Sequence, residues 1–151
     1  MSSNYKNPQL IYLAADHAGL KLKNLIKNYL SEQGLAYKDF GADSLDSTDD
    51  YPDYAKKLTK ELNKNPHNFG ILICGSGQGM VIAANRQKKV RAILGYSAHA
   101  VMVARLDNDA NALCLAGRFI SPAAAIHIVD LFIHSPFSKE ERHQRRIKKL
   151  G

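Results

Sequence analysis

Residues 69–85 read FGILICGSGQGMVIAAN, an apolar run, then glycines at three alternate positions, then a second apolar run. The first run is short and rich in β-branched residues, which predicts a buried strand, and the second predicts the start of a helix. A strand, loop and helix in this order directs successive backbone N–H groups toward an anion. The loop is therefore predicted to bind a phosphate or an oxyanion, and Cys74 lies at its mouth.

Strand-like and helix-like segments alternate along the rest of the chain. Apolar patterning predicts strands at residues 10–14, 35–40, 69–73, 90–96 and 112–116. It predicts helices at residues 19–33, 51 to about 64, from 80, 97 to about 106, from 122, and about 138–149. Short connections between such segments imply one α/β domain over residues 1–151, with a five-stranded parallel sheet covered by helices on both faces.

The predicted strand order, 2-1-3-4-5, places the first and third strands side by side. In such sheets ligands bind beyond the carboxyl ends of the strands, where the strand order reverses. Asp16 and His17 follow the first strand, and the loop from Cys74 to Gly79 follows the third. We therefore expect these two groups to face each other across one crevice.

The composition is that of an ordinary globular domain, with 45% hydrophobic and 23% charged residues in a chain of 151. The polar segment MSSNYKNPQ, residues 1–9, has no signal-peptide pattern, and no apolar run has the length of a membrane span. Cys74 and Cys114 are far apart and have no zinc-site spacing, which favours a reducing compartment and no structural metal. We therefore expect a cytoplasmic protein.

The formal net charge is +7, and much of it lies in KEERHQRRIKKLG, residues 139–151. A basic protein can bind nucleic acid or small molecules that carry phosphate. Neither an RNA-binding aromatic signature nor a helix-turn-helix pattern accompanies the charge, so nucleic acid is not the predicted partner.

Five segments occur in order along the chain: AADHAG at 14–19, DYPDYA at 50–55, ICGSGQGMVIAANR at 73–86, NDANALCLAGR at 108–118 and RHQRR at 142–146. Together they resemble the ribose-5-phosphate isomerase B family, which includes the subunits of galactose-6-phosphate isomerase. CGSGxG followed by AAN is the specific part of the match. The resemblance covers nearly the whole chain.

The resemblance implies a Rossmann-like three-layer αβα sandwich that assembles as a homodimer or a dimer of dimers, with substrate sites at the subunit interface. The C-terminal helix is expected to pack on a partner subunit. The implied reaction converts a phosphorylated aldose into a ketose without metal or cofactor. Ribose 5-phosphate and ribulose 5-phosphate, of the pentose phosphate pathway, are the expected pair.

Cys74 is the candidate base. The isomerisation moves a proton between C1 and C2 through an enediolate, so it needs a base and donors for the developing oxyanion. A helix N-terminus and neighbouring dipoles favour the thiolate form of a cysteine. The alternative is a structural cysteine buried at a strand end, which is the reading we prefer for Cys114. Some relatives carry a glutamate base where this chain has Met80, and methionine cannot accept a proton.

The glycine loop is expected to bind the sugar, through a hydroxyl of Ser76 and backbone N–H groups. The glycines concerned are Gly75, Gly77 and Gly79. Ser76 is classed as catalytic on this argument, although serine also shapes turns without any further role.

Further contacts are assigned from position and resemblance. Asp16 is expected to bind sugar hydroxyls and His17 the phosphate, although such pairs are often solvated turn residues. Tyr51 either contacts the substrate or packs at a helix start. Three arginines are candidates for the phosphate, because guanidinium groups match phosphate oxygens, and His143 is expected to lie near them. These are Arg118, Arg142 and Arg146. Arg142 and Arg146 are four positions apart, so one helical face can present both to a phosphate; the alternative is that this face is only exposed to solvent.

Asp107 departs from the family pattern. Relatives active on ribose 5-phosphate commonly have histidine there, and it is assigned to opening the sugar ring; Asn108, which follows, matches and is expected to bind the sugar. We keep Asp107 as a catalytic candidate, although a carboxylate returns a proton less readily than imidazolium at neutral pH. The alternatives are that His99 provides the imidazole, that the substrate arrives open-chain, or that another sugar phosphate is used.

The sequence therefore predicts an aldose–ketose isomerase of ribose 5-phosphate. The alternatives are a hexose 6-phosphate isomerase of the same family and a sugar-phosphate-binding module without turnover.

Overall fold

A five-stranded parallel sheet forms the centre of the structure, a computed structural model that describes residues 10–151. Its strands are β1 (Ile11–Ala15), β2 (Tyr37–Asp39), β3 (Phe69–Cys74), β4 (Ala92–Leu94) and β5 (Ala112–Ala116). The helices are α1 (Leu20–Glu32), α2 (Tyr51–Lys64), α3 (Gln78–Ala84), α4 (Ala98–Asn108), α5 (Pro122–His134) and α6 (Glu141–Leu150), with a 3₁₀ turn at His17–Gly19. The predicted alternation is confirmed. The polar segment of residues 1–9, predicted to lack a signal sequence, lies outside the described residues.

The strand order is β2-β1-β3-β5-β4, so the predicted order 2-1-3-4-5 is wrong in its last two strands. The reason is burial. Four of the five residues of β5 are buried, as suits a strand with neighbours on both sides, whereas β4 has three residues and one buried position, as suits an edge. The predicted neighbours β1 and β3 are confirmed, with Ala15 opposite Ile73.

Helices cover both faces of the sheet and confirm the three αβα layers. On one face β1, β3 and β5 pack against α1, α4 and α5, with Ile26, Val101 and Phe132 fully buried. On the other face the sheet packs against α2 and α3, through Leu58 and Met80. Each helix buries one apolar face against the sheet, which accounts for the periodic apolar residues in the helical segments of the sequence.

The C-terminal helix begins three residues later than predicted, at Glu141 rather than about 138, and it packs beside the end of α4. The Ser138 N–H donates to the Leu106 carbonyl oxygen at 3.0 Å and fixes the approach to α6. Contact of this helix with a partner subunit stays a prediction. None of the helices within residues 10–151 combines the length and the apolar character that crossing a bilayer requires.

A buried ion pair fixes the loop after β2 beside the end of β1. Lys23 is 1% exposed and donates to Asp39 at 3.0 Å and to the Ala42 carbonyl oxygen at 2.5 Å. Ala42 in turn donates its N–H to the Ala15 carbonyl oxygen at 3.0 Å. Burial alone would raise the pKa of Asp39, but hydrogen bonds from Lys23, Gly41 and Lys27 outweigh it and lower that pKa. The pair therefore holds this loop against the strand that leads to Asp16.

We expect Lys23→Met to lower the free energy of unfolding by about 3 kcal/mol at pH 7, because it leaves a largely buried carboxylate without its main partner. Lys27→Met is the matched control, since Lys27 bonds to the same carboxylate but is 30% exposed, and it should cost less than about 1 kcal/mol. Urea unfolding of the three proteins measures both values.

The pH dependence gives a second check. Because the pKa of Asp39 is lowered on folding, the contribution of the pair is present above the unfolded value of about 3.9 and is lost as the pH falls through the folded value. The difference between wild type and Lys23→Met should therefore shrink below about pH 4. Equal losses for the two lysine variants at pH 7 would contradict the assignment.

Candidate active site

Three loops meet at the carboxyl ends of β1, β3 and β5. The Asp16 N–H donates to the Ile73 carbonyl oxygen at 3.3 Å, and the Gly117 N–H donates to that of Cys74 at 2.8 Å. The Arg118 N–H donates to the Gly75 carbonyl oxygen at 3.0 Å. Backbone hydrogen bonds therefore join the loop after β3 to both of its neighbours, which brings Asp16, Cys74 and Arg118 to one place.

Cys74 is the last residue of β3 and is 4% exposed. Its side chain belongs to the cluster that contains Met80 and Cys114, with Tyr51 packed against the edge of that cluster. Both cysteines are free thiols. Burial, with a smaller contribution from Cys74, raises the pKa of Cys114, so Cys114 stays protonated at neutral pH. Of the two thiols, Cys74 is the one beside the loops.

The glycine loop lets two side chains approach the backbone. Gly77 has φ +74°, in the left-handed region that favours glycine. A Cβ atom on Gly79 would lie 2.5 Å from the Tyr51 Cζ, and one on Gly75 would lie 3.1 Å from the Arg118 Nη1. The tyrosine ring and the guanidinium group therefore lie directly against the loop.

Ser76 is exposed in this loop, and its hydroxyl oxygen accepts a hydrogen bond from the Gln78 N–H at 3.3 Å. The serine therefore shapes the turn, and its hydroxyl hydrogen is left to donate elsewhere.

Asp16 is oriented by the 3₁₀ turn that follows β1. Its Oδ1 accepts hydrogen bonds from the N–H groups of Ala18 at 3.0 Å and Gly19 at 3.1 Å, and only 6% of the residue is exposed. Burial raises the pKa of Asp16, although the hydrogen bond from Gly19 and the nearby His17 oppose the shift. Its position is thus set by the backbone of the turn.

His17 is held by Asp49, which precedes α2. The Nδ1 of His17 lies 2.6 Å from the Asp49 Oδ1, and the same oxygen accepts the His17 backbone N–H at 3.2 Å. The Asp49 side chain is 6% exposed. Because an ionised carboxylate only accepts hydrogen bonds, Nδ1 carries the donated proton, which leaves Nε2 for a ligand.

Ligand atoms of Asp16, His17 and Asp49 lie within 4.8 Å of one another, an arrangement that could hold a metal ion. The Asp16 Oδ1 already accepts two N–H groups, and the His17 Nδ1 is bonded to Asp49. The Asp49 Oδ2 is buried without a hydrogen-bond partner within residues 10–151, and one oxygen is not a chelating site. We therefore assign the cluster to positioning His17, and a site without metal stays a prediction.

A second group of predicted residues lies at the end of α4. This helix runs from the carboxyl end of β4 back to the amino end of β5, so Asp107 and Asn108 lie at the amino edge of the sheet. The His143 Nε2 of α6 lies 3.5 Å from the Asp107 Oδ1. Arg142 and Arg146 are exposed on the same helix.

The two groups lie at opposite edges of the sheet. The six residues of β3 separate the edges by about 17 Å, at about 3.3 Å per residue. Asp107 and Asn108 therefore cannot contact a small ligand that also contacts Cys74 of the same chain.

Known proteins share both the sequence and the fold. Residues 11–150 match the family described as Ribose/Galactose Isomerase. The chain is 44% identical over 140 residues to a probable ribose-5-phosphate isomerase B of Mycoplasma pneumoniae, covering 93% of this chain and 91% of that protein. The chain belongs to this family.

Two solved members of the family have the same fold. Ribose-5-phosphate isomerase B of Mycoplasma genitalium, crystallised with bound ribulose 5-phosphate, superposes with a TM-score of 0.90 at 42% identity and 93% coverage of both chains. The enzyme of Anaplasma phagocytophilum superposes with a TM-score of 0.91 at 38% identity, covering 98% of this chain and 100% of that one. The resemblance and fold class predicted from sequence are thereby confirmed.

The predicted site residues of this family member divide between the two edges of the sheet. Those at the carboxyl edge are Asp16, His17, Tyr51, Cys74, Gly75, Ser76, Gly77, Gly79 and Arg118. Those at the amino edge are Asp107, Asn108, Arg142, His143 and Arg146. Their roles stay predictions.

Sequence reasoning missed Asp49. It lies in the acidic stretch GADSLDSTDD, residues 41–50, whose composition indicates only a loop. Thirty-two positions separate it from His17, and nothing in the local pattern distinguishes it from Asp43 or Asp46.

We expect Asp49→Ala to remove the preference of His17 for a protonated Nδ1, because the carboxylate that accepts this proton is lost. Two-dimensional ¹⁵N–¹H NMR of the imidazole measures the tautomer directly. Asp46→Ala is the matched control, since Asp46 is an exposed carboxylate of the same loop that bonds to Thr48. An unchanged His17 tautomer in Asp49→Ala would refute the positioning role.

Proposed function

We propose that this family member interconverts ribose 5-phosphate and ribulose 5-phosphate through an enediolate. The observation that carries the proposal is the position of Cys74, whose thiol lies at the end of β3. Backbone hydrogen bonds join this end of the strand to the loop that carries Arg118 and to Asp16. The bound ribulose 5-phosphate in the Mycoplasma genitalium enzyme, which is 42% identical, supports the choice of sugar.

Cys74 would act as the base. Its thiolate removes the proton from C2 of the aldose and returns it to C1, while the hydroxyl proton of O2 moves to O1, which leaves the ketose and restores the thiolate. The loop that begins at Gly75 would donate N–H groups, with the Ser76 hydroxyl, to the oxygens that become negative. Cys114 cannot replace Cys74, because burial raises the pKa of its thiol.

Side chains around the loop would orient the substrate. Arg118 lies against Gly75, where its guanidinium can bind phosphate oxygens. Tyr51 forms one wall, and Asp16 and the Nε2 of His17 are available for a sugar hydroxyl and the phosphate. This arrangement suits a small phosphorylated sugar.

A complete site would require two chains. A pentose phosphate is shorter than the distance between the two edges of the sheet, so Asp107, Asn108 and the arginines of α6 can serve Cys74 only in a second copy. We infer a homodimer in which the amino edge of each chain completes the site of its partner, with a dimer of dimers as the alternative.

Exposed apolar side chains near the carboxyl edge support such a dimer. Phe119 is 80% exposed, Tyr96 is 76% exposed and Ile82 is 59% exposed. They lie after β5, after β4 and on α3. Large exposed apolar groups favour an interface, and a second copy would cover them.

A hexose 6-phosphate isomerase is the second candidate, and the aspartate at position 107 is the feature that favours it, because relatives active on ribose 5-phosphate commonly have histidine there. A binding module without turnover is weaker, since Cys74 and Ser76 are both present. The two free cysteines support a cytoplasmic location for the enzyme.

We expect Cys74→Ala to lower the exchange of the substrate C2 proton with deuterated solvent by about 100-fold or more, since the base is removed. NMR of ribose 5-phosphate and of a panel of hexose 6-phosphates measures this exchange and identifies the preferred sugar. Cys114→Ala is the matched control and should retain most of the wild-type rate. Normal exchange in Cys74→Ala would refute the base assignment.

The two-chain site predicts complementation between inactive variants. Cys74→Ala and Asp107→Ala are mixed, unfolded together and refolded. Half of the dimers then contain one chain of each variant and have one intact site out of two. The rate of ribose 5-phosphate conversion should therefore recover to about one quarter of the wild-type value. If all site residues of one chain served the same site, the mixture would stay as inactive as its components.

A further inference from the structure

His143 has a buried ring nitrogen without a partner. The residue is 4% exposed, and its Nε2 makes no hydrogen bond within the described chain. Two carboxylates are near this atom, the Asp107 Oδ1 at 3.5 Å and the Glu140 Oε2 at 3.9 Å. A buried polar atom without a partner is unfavourable and rare in folded proteins, so this one requires an explanation.

The exposure of the neighbouring groups distinguishes their roles. The Asp107 side chain is 43% exposed and that of His143 is 5% exposed, so the carboxylate is the group that a ligand can reach and the imidazole lies behind it. Glu140 already accepts a hydrogen bond from the Arg142 Nε at 2.8 Å. Asp107 is therefore the carboxylate that is free to work with His143.

Isomerisation of an aldose phosphate that is closed as a furanose requires ring opening first. The C1–O4 bond breaks, C1=O1 forms, and a proton moves from O1 to O4. A group that assists must hold this proton briefly at neutral pH. Free imidazole does so better than a free carboxylic acid, because its pKa is about 6.5 rather than about 4.

We propose that Asp107 and His143 form one acid–base pair that opens the sugar ring, with Asp107 touching the substrate and His143 holding the transferred proton. The O1 proton passes to Asp107 and on to the His143 Nε2, and it returns by the same route to O4 as the C1–O4 bond breaks. The pair ends in its starting protonation state, so no other reactant is needed. The inference rests on the proposed isomerase function.

The pair explains why aspartate can occupy position 107. The imidazole of His143 approaches from α6, so the exposed position of α4 needs only a group that relays the proton. Direct binding of phosphate by the His143 Nε2 is disfavoured, because this atom is covered.

The experiment separates ring opening from proton transfer at carbon. Ribulose 5-phosphate cannot close a furanose ring, because its O5 carries the phosphate, so exchange of its C1 protons with deuterated solvent bypasses ring opening. Conversion of ribose 5-phosphate, in contrast, requires ring opening. His143→Gln should lower the rate of conversion at least about tenfold and leave the C1 exchange within about threefold of wild type.

His134→Gln is the matched control, since His134 also lies beside an aspartate, Asp130, at 3.1 Å but is 45% exposed on α5. It should change neither rate. Equal losses of both rates in His143→Gln would indicate a structural or phosphate-binding role and overturn the pair, as would no loss at all. If His143→Gln does not fold, Asp107→Asn tests the same split, because it removes the relay and keeps the imidazole.

A second background tests whether His143 acts through Asp107. In Asp107→His an imidazole is placed directly at the exposed position. Adding His143→Gln to this variant should therefore lower the rate of ribose 5-phosphate conversion by less than about threefold. The same loss in both backgrounds would contradict the relay. A wild-type protein that neither converts nor exchanges these sugars would instead refute the proposed function.

Discussion

The hydrogen bond from the Gly117 N–H to the Cys74 carbonyl oxygen, 2.8 Å long, joins the end of the central strand β3 to the end of its neighbour β5. It follows from the pairing of β3 with β5, in which Cys74 lies opposite Ala116. With β4 between them, the loop that carries Arg118 would lie one strand, about 4.8 Å, farther from the glycine loop. The strand order is therefore part of the site as well as part of the fold.

Most of the fold could be predicted because the relevant forces are local. Glycine spacing and apolar runs predicted β3 and α3. Apolar patterning predicted that α2 ends at about residue 64, and it ends at Lys64. The order of β4 and β5 was mispredicted because both read as apolar runs, and only their burial, which depends on neighbours, separates an edge from a centre. That β4 has only three residues cannot be read from the longer apolar run, residues 90–96, that predicts it.

The candidate site could be predicted where a residue follows a strand. Asp16 and Arg118 lie just beyond the carboxyl ends of β1 and β5, and Cys74 is the last residue of β3; the sheet topology brings these ends together. Partners that come from elsewhere in the chain were not predictable. The contact of Asp49 with His17 and that of Asp107 with His143 join residues 32 and 36 positions apart, and neither carboxylate has a distinctive local pattern.

The division of the site between opposite edges of the sheet also bears on how this family can evolve. In the proposed dimer, each chain would contribute Cys74 to one site and the arginines of α6 to another. After gene duplication, one copy can lose its thiol and the other its C-terminal arginines, and a heteromer of the two still keeps one working centre. Separate subunits that depend on each other are thus an accessible outcome of the proposed two-chain site.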